Sequence, residues 1–310
     1  MTSWASGYLR PRRGGRNLPG GGRIHPDSGG RSLAETHAHD QPGWRQLLPD
    51  EGKPRTGAAR TTIHEVFARP GDQGMTASQG KVALVTGGNR GIGRGIAEAL
   101  AADGATVALT ARDAGAAEKA AIEIGHGARG YACDVRRPES VAALFQAVDR
   151  DLGGLDVLVN NAGVGLFGPV AGMSVEDWLT VIETNVNGVF FCTREALPRM
   201  KRRGGGYVFN VSSLAGKNTF PGGAAYSASK HAVNGFSETL FQEVREDGIR
   251  VTYLMPGSVA TDFGRGSAAK QDWALQPSDV GEMVVDLLHT SPRALHSRVE
   301  MRPARPQKRP

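Results

Sequence analysis

The sequence has few cysteines and no long apolar segment. Its two cysteines among 310 residues, Cys133 and Cys192, have neither CxxC nor any other metal-ligand spacing, which excludes a disulfide framework and a cysteine-based zinc site. No apolar run approaches the roughly 18 residues of a membrane span. No apolar stretch follows Arg12-Arg13, so the pattern of an export signal is missing as well. We therefore expect a cytoplasmic protein that does not enter a membrane.

A basic surface on the folded body is also missing, although the formal net charge is +6. The first 74 residues contain eleven Lys or Arg and seven Asp or Glu, and the last ten contain four Lys or Arg and no acid. Residues 75–300 consequently carry a net charge of −2. Because a nucleic-acid-binding domain carries its positive charge on the fold, we expect a small molecule as the partner and no nucleic acid.

The amino-terminal segment lacks any apolar periodicity. Residues 1–74 include 13 Gly and 7 Pro, a composition that buries too little surface to offset the entropy of ordering the chain. We predict a disordered extension over residues 1–78 and a basic tail over 303–310. An RNA-binding or targeting arm is one alternative. An over-extended reading frame is another, since the segment that begins at Met75 resembles an ordinary protein start.

From residue 81 onward, short apolar runs alternate with helical stretches. Strands are predicted at 82–86, 106–110, 131–133, 155–160, 207–211, 249–254 and 298–301. Helices are predicted at 91–103, 114–125, 138–152, 174–202, 224–247 and 278–290. This alternation predicts one α/β domain over residues 79–302, with a doubly wound parallel sheet of about seven strands.

Glycines mark the turn between the first strand and the first helix. Gly87, Gly91 and Gly93 would let the backbone turn tightly and approach a pyrophosphate at the start of the helix. Their spacing departs from GxGxxG, so a purely structural tight turn is the alternative. Asn160-Asn161-Ala162-Gly163 ends the fourth strand, at the edge where open α/β sheets bind ligands.

The acid that usually binds the adenosine ribose is missing from the end of the second strand. Ala111 and Arg112 stand there, and Arg112 together with Arg90 favours a 2′-phosphate, hence NADP over NAD. The alternative is that Asp113 binds the ribose and Arg112 is a surface charge. Asp134 is predicted to accept a hydrogen bond from the adenine amino group, or else to cap the next helix.

Tyr226 and Lys230 lie four residues apart on a predicted helix, and Ser213 precedes Tyr226 by thirteen residues. Positions i and i+4 share a helix face, so the ammonium would lie near the phenol. A phenol has an unperturbed pKa of about 10, and a nearby cation lowers it toward the range of a general base. Ser213 would hold a substrate oxygen.

These motifs in this order resemble the short-chain dehydrogenase/reductase family over about residues 79–301. The resemblance implies an NADP(H)-dependent oxidoreductase that interconverts a carbonyl and a secondary alcohol. It implies a catalytic tetrad of Asn185, Ser213, Tyr226 and Lys230, with Asn187 and Ser212 as substitutes for the first two. Asn185 would hold a relay water, Tyr226 would exchange the proton, and Lys230 would lower the Tyr226 pKa and bind the nicotinamide ribose.

The resemblance also implies a set of cofactor-binding residues. They are Gly87, Asn89, Arg90, Gly91, Ile92, Gly93, Arg112, Asp134, Val135, Asn161, Ala162, Gly163, Tyr226, Lys230, Pro256, Gly257, Val259 and Thr261. NADP is the expected cofactor, with NAD as the alternative. Family members usually pair through the helices that carry Asn185 and Tyr226, so a homodimer or homotetramer is expected. A catalytically silent NADP(H)-binding sensor on the same fold is the rival function.

Substrate selection would belong to the loop after the sixth strand, residues 262–276. Its glycines and alanines predict a mobile lid, on which Phe263 and Trp273 would close over an apolar substrate, with Phe167 and Phe220 as further walls. Many 3-oxoacyl reductases of this family end with Gly-Gly after the last strand. This chain does not, which favours a substrate outside fatty-acid elongation.

Overall fold

A computed structural model describes residues 76–263 and 273–305. Most of the predicted amino-terminal extension, residues 264–272 of the predicted lid and the end of the basic tail lie outside these ranges. Residues 77–80 form turns at the start of the described body. Ser78, which the sequence placed in the extension, is buried, and its backbone N–H donates to the Asp103 carboxylate at 3.2 Å.

Strands and helices alternate along the described chain. The strands are β1 Val82–Val85, β2 Thr106–Ala111, β3 Arg129–Ala132, β4 Val157–Asn160, β5 Gly206–Val211, β6 Ile249–Pro256 and β7 Arg298–Met301. The helices are α1 Gly91–Ala102, α2 Ala114–Ile124, α3 Pro138–Leu152, α4 Val175–Ile182, α5 Gly188–Arg202, α6 Ala224–Val244 and α7 Pro277–His289.

The seven strands form one parallel sheet in the order β3-β2-β1-β4-β5-β6-β7. The order reverses between β1 and β4, so the chain leaves these two neighbours toward opposite faces of the sheet. A crevice opens at such a reversal, beyond the carboxyl ends of the strands. The predicted doubly wound α/β fold is thereby confirmed, and its ligand-binding edge is located.

Both faces of the sheet are covered by helices, which explains why its inner strands are continuous apolar runs. Along β1, Ala83 and Val85 enter one core with residues of α1, α2 and α7. Val82 and Leu84 enter the other core with residues of α3, α5 and α6. Successive side chains of a strand point to opposite faces, so a strand buried on both sides has no polar alternation.

Strand ends differ from the predicted ones by up to two residues, and two elements differ from the prediction for an identifiable physical reason. The helix predicted over 174–202 is divided by a π-helical turn, Glu183–Asn187, between α4 and α5. Apolar periodicity does not reveal one inserted residue in a helix, whereas such turns often accompany functional sites. The third strand begins at Arg129 rather than Tyr131, because strand pairing is a backbone property and continues through the polar Arg129 and through Gly130. A Cβ on Gly130 would lie 2.3 Å from the Ala117 backbone of α2.

Candidate active site

A cavity of about 450 Å³ lies at the carboxyl ends of the strands. It brings together most of the residues that the sequence assigned to a site. These are Gly87, Asn89, Arg90, Gly91, Ile92, Arg112, Asp134, Val135, Asn161, Ala162, Gly163, Ser213, Tyr226, Lys230, Pro256, Gly257, Val259 and Thr261. The remaining two, Gly93 and Asn185, are buried and do not line the cavity.

Hydrogen bonds from the end of β4 hold the glycine loop in place. Asn161 donates its side-chain amide to the carbonyl oxygens of Thr86 at 2.9 Å and of Gly87 at 3.1 Å. In return, the Thr86 hydroxyl accepts from the backbone N–H groups of Asn161 and Ala162, both at 3.0 Å. The loop and the Asn-Asn-Ala-Gly turn are therefore one bonded unit, although 75 residues separate them in sequence.

The glycines of the loop meet a geometric need. Gly87 and Gly91 have φ of 62° and 56°, in the left-handed region that other residues rarely adopt. A Cβ on Gly93 would lie 2.3 Å from the Asn161 amide nitrogen and 2.4 Å from the Gly87 carbonyl oxygen. Without side chains here, the free N–H groups at the start of α1 stay open to an anion, which fits the pyrophosphate of a dinucleotide.

Positive charge gathers at the end of the cavity formed by β2 and β3. Arg90, Arg112 and Arg136 line it there. The alternative ribose acid, Asp113, is already engaged as the amino-terminal cap of α2, where its carboxylate accepts from the Ala116 N–H at 2.7 Å. At the end of β2, Arg112 lines the cavity and Asp113 does not. These cationic surroundings fit a phosphorylated ribose.

Asp134 does not cap α3; it is paired with Arg136. The Arg136 guanidinium donates to both carboxylate oxygens, and the shortest distance is 2.6 Å from Nη2 to Oδ2. Arg136 and the nearby charge of Arg112 outweigh partial burial and lower the pKa of Asp134. Arg137 is the residue at the helix boundary, and no side-chain hydrogen bond caps α3.

Asn185 lies in the π-helical turn and is almost fully buried. Its side-chain carbonyl accepts from the Val164 N–H at 2.8 Å, and its amide donates to the Val164 carbonyl at 2.9 Å and to the Ser229 hydroxyl at 3.0 Å. Asn187 is exposed, so the alternative position is unsuitable. Both amide hydrogens of Asn185 are used in fixing the loop after β4 and helix α6.

The two serines after β5 have different surroundings. Ser212 is buried and donates to the side-chain oxygen of Asn234 on α6 at 2.5 Å, so its hydroxyl hydrogen is already engaged. The Ser213 hydroxyl accepts from the Ala215 N–H at 3.1 Å and hydrogen-bonds Tyr226. Of the two candidates, Ser213 is therefore the one beside the phenol.

Lys230 lies beside Tyr226, and its Nζ is 5.7 Å from the centre of the phenol ring. The ammonium donates to the Val211 carbonyl at 2.8 Å, and burial lowers the Lys230 pKa to about 8. Burial raises the pKa of Tyr226, and the Ser213 hydrogen bond offsets only part of that rise. The net rise reflects desolvation of the phenol by burial, and the expectation that Lys230 lowers the Tyr226 pKa stays a prediction.

Aromatic side chains surround the Tyr226 ring on the open side. The rings of Phe167 and Phe263 each have centroids 5.6 Å from that of Tyr226, and Phe220 packs on Phe167 at 5.8 Å. Of the four aromatic residues predicted as walls, Phe167 and Phe263 lie beside the phenol, and Phe220 contacts Phe167. Trp273 is not among the described residues that line the cavity.

Three supporting residues were not predicted from the sequence. Arg136 pairs with Asp134, Ser229 connects Asn185 to the Tyr226 carbonyl, and Thr110 accepts from the Gly87 N–H at 3.1 Å. The pairing of Arg136 could have been predicted from the sequence, since a cation two residues after a strand-end acid is close enough to hydrogen-bond with it. Ser229 and Thr110 act on backbone groups, and no residue pattern marks them.

The described part of the chain contains neither the pattern of a membrane-spanning helix nor that of a metal-ligand cluster. None of its helices combines the length and the apolar character needed to cross a bilayer. Nor do three or more His, Cys, Asp or Glu side chains converge there as metal ligands.

Comparison with known proteins identifies relatives of this architecture. A family model described as short chain dehydrogenase matches residues 81–272. The 3-oxoacyl-[acyl-carrier-protein] reductase of Vibrio cholerae is 39% identical over 185 residues, 60% of this chain and 76% of that protein. The 3beta-hydroxysteroid dehydrogenase of Mediterraneibacter gnavus is 42% identical over 193 residues, 61% of this chain and 70% of that protein.

Solved structures share the fold. The alcohol dehydrogenase of the archaeon Thermococcus sibiricus, complexed with 5-hydroxy-NADP, superposes with a TM-score of 0.69. The two chains are 33% identical, and the superposition covers 74% of this chain and 99% of that one.

Proposed function

The chain belongs to the short-chain dehydrogenase family, and from this premise we propose that it is an NADP(H)-dependent oxidoreductase that interconverts a carbonyl and a secondary alcohol. One observation carries the proposal. Tyr226, Ser213 and Lys230 converge at one part of a cavity whose other part is formed by an anion-binding glycine loop and three arginines. This is an arrangement for proton exchange beside a bound dinucleotide.

The residues of the cavity fit the parts of NADP(H). The loop from Gly87 to Gly93 would hold the pyrophosphate, Arg90 and Arg112 the 2′-phosphate, and Asp134 the adenine amino group. Residues 256–261 would face the nicotinamide. The bound cofactor supplies or accepts the hydride. The solved relative that contains an NADP derivative supports this choice.

Tyr226 is proposed to give its proton to the substrate oxygen during reduction, while Ser213 holds that oxygen by a hydrogen bond. The raised Tyr226 pKa keeps the phenol protonated at neutral pH, which suits this direction. Oxidation needs the phenolate, and Lys230, a cation below its pKa of about 8, would stabilise it. The ammonium has further N–H groups with which to bind the nicotinamide ribose.

Asn185 is proposed to act as a positioning residue with its side chain. Its two hydrogen bonds to Val164 hold the chain beside the aromatic wall, and its bond to Ser229 fixes the turn of α6 that carries Tyr226. The relay water implied by the family resemblance would then bond the main-chain carbonyl of Asn185. The π-helical turn is where such a carbonyl would be released from regular helix bonding.

The aromatic wall favours a substrate with an apolar group next to its carbonyl. Phe167 and Phe263 offer exposed ring surface around the phenol, and their contacts would exclude water from the reacting oxygen. Two relatives are named for a 3-oxoacyl-[acyl-carrier-protein] and for a 3beta-hydroxysteroid, each of which has hydrocarbon on at least one side of the reacting carbon. We propose 3-oxo esters and bulky cyclic ketones as the first substrates to test.

The deciding experiment follows the absorbance of NADPH and of NADH with a panel of aldehydes, ketones and 3-oxo esters. Wild type, Tyr226→Phe and Tyr131→Phe are compared as full chains; Tyr131 bonds Asp151 and does not line the cavity. We expect turnover with NADPH, a loss of about 10²- to 10⁴-fold in Tyr226→Phe because the proton donor is gone, and normal turnover in the control.

Other outcomes would contradict the proposal. Undiminished turnover in Tyr226→Phe would remove the phenol from the mechanism. A faster reaction with NADH would overturn the cofactor assignment. Tight NADPH binding without turnover of any substrate would favour the sensor.

A further inference from the structure

Arg136 lies at the adenosine part of the cavity without an assigned role. Its guanidinium meets the Asp134 carboxylate through Nε at 3.0 and 3.1 Å and through Nη2 at 2.6 Å, and its own backbone N–H adds a bond at 3.1 Å. About a third of the Arg136 side chain and a fifth of the Asp134 side chain are exposed, and both residues line the cavity. The bidentate pair is therefore preformed and partly shielded.

A second cation lies within electrostatic range of the same carboxylate. Arg112 stabilises the charge of Asp134 through space, although it makes no hydrogen bond with it. Among the described residues, Arg112 and Arg90 belong to no ion pair, so both remain available to a ligand phosphate. Glu183 is the other acid that faces Arg136, and no hydrogen bond joins the two.

We propose that Arg136 is a cofactor-selectivity residue that acts through Asp134. By neutralising this carboxylate, Arg136 prevents it from binding Arg112 and from repelling a 2′-phosphate. The inference rests on the proposed function, since it assigns the 2′-phosphate of NADP(H) to Arg112 and Arg90. It adds a residue that is not required to touch the phosphate.

The physical reason is the placement of one acid in a cationic pocket. An adenine-binding carboxylate is useful to both NAD and NADP, but its negative charge opposes the additional phosphate of NADP. With Arg136 in place, the pocket of Arg90, Arg112, Arg136 and Asp134 keeps a net charge of +2. Without Arg136, Asp134 is free to pair with Arg112, and the effective charge offered to the phosphate falls to about that of Arg90 alone.

The test measures equilibrium binding of NADP⁺ and NAD⁺ by isothermal titration calorimetry, without substrate. Four full-length proteins are compared: wild type, Arg136→Met, the double variant Asp134→Asn with Arg136→Met, and Arg137→Met. Arg137 is a matched control because its side chain is 67% exposed and outside the cavity. The readout is the dissociation constant of NAD⁺ divided by that of NADP⁺. Effects on the adenine, which both cofactors contain, cancel in this ratio.

We expect Arg136→Met to weaken NADP⁺ binding on the order of tenfold and NAD⁺ binding much less, since one partly exposed charge is uncovered. In the double variant the offending charge is absent, so the ratio should return toward the wild-type value. Arg137→Met should leave both constants unchanged. Retained NAD⁺ binding in each variant shows that the protein is folded.

Three results would overturn the inference. A ratio that stays low in the double variant would mean that Arg136 contacts the phosphate directly. Equal weakening of both cofactors by Arg136→Met would mean a structural role. Unchanged binding of both cofactors by Arg136→Met would mean that Asp134 does not oppose the phosphate. Wild type that binds neither cofactor would instead refute the proposed function itself, which separates the two failures.

Discussion

Lys230 is a buried cation whose surroundings favour its neutral form. It is 5% exposed, and burial lowers its pKa from 10.5 to about 8. A shift of this size corresponds to about 3 kcal/mol of unfavourable folding free energy at pH 7. Replacing Lys230 would remove this cost but would also remove its hydrogen bond to the Val211 carbonyl, which contributes about 1 kcal/mol. We expect Lys230→Met to abolish turnover and to raise the free energy of unfolding by about 1–3 kcal/mol.

The stabilising effect of Lys230→Met should depend on pH. Between pH 8 and 10.5 the unfolded chain keeps the lysine proton that the folded chain has lost, so wild-type stability rises with pH in this window. Lys230→Met has no such proton to lose, so the difference in unfolding free energy between this variant and the wild type should shrink from pH 7 to pH 10. Urea unfolding at both pH values measures this difference, with Lys201→Met, at an exposed lysine, as the control. A variant less stable than wild type at pH 7 would contradict the argument.

At the scale of elements, glycine has opposite consequences in two helices. A Cβ on Gly93, in the first turn of α1, would meet Asn161 and the Gly87 carbonyl within 2.4 Å. A Cβ on Gly235, in the middle of α6, would meet nothing within 4 Å. We expect Gly93→Ala to cost about 1–3 kcal/mol and to weaken NADPH binding, because the loop must move.

Gly235→Ala is the matched control, and we expect it to be neutral or to stabilise the protein by up to about 1 kcal/mol. Urea unfolding and NADPH fluorescence titration measure both variants. Equal behaviour of the two substitutions would show that the glycine loop tolerates displacement and that close packing there is not needed.

At the scale of the whole molecule, α4 and the start of α5 expose an apolar face. Val175, Trp178 and Leu179 are 74%, 40% and 46% exposed at helical spacing on α4, and Phe190 on α5 is 46% exposed. Such a face is typical of a protein–protein interface. We expect the protein to be a homodimer or homotetramer and Phe190→Asp to shift it toward smaller species in light scattering after size exclusion.

Ile122→Asp is the control for that shift, since Ile122 is 73% exposed on α2, away from this face. Its mass in solution should equal that of the wild type. A wild-type protein that is monomeric at micromolar concentration would contradict the prediction.

The sequence alone was sufficient for the features that depend on near neighbours in the chain. Buried parallel strands are continuous apolar runs, so the alternation of strands and helices, and with it the fold, is readable from β1 to β7. The glycine spacing, the strand-end Arg112 and the four-residue interval from Tyr226 to Lys230 are also local. Parallel strands end at one edge of the sheet, which is why these separate motifs were expected at one site.

The tertiary structure decided which side chains hydrogen-bond with each other and in which direction burial shifts the pKa of each ionisable group. Asn185 bonds Val164 and Ser229, which lie 21 and 44 residues away, and Ser212 turns to Asn234, which lies 22 residues away. The direction in which the Tyr226 pKa shifts depends on burial among groups from several elements, which spacing along the chain does not reveal. Desolvation and side-chain pairing are properties of a packed neighbourhood, and no pattern along the chain contains them.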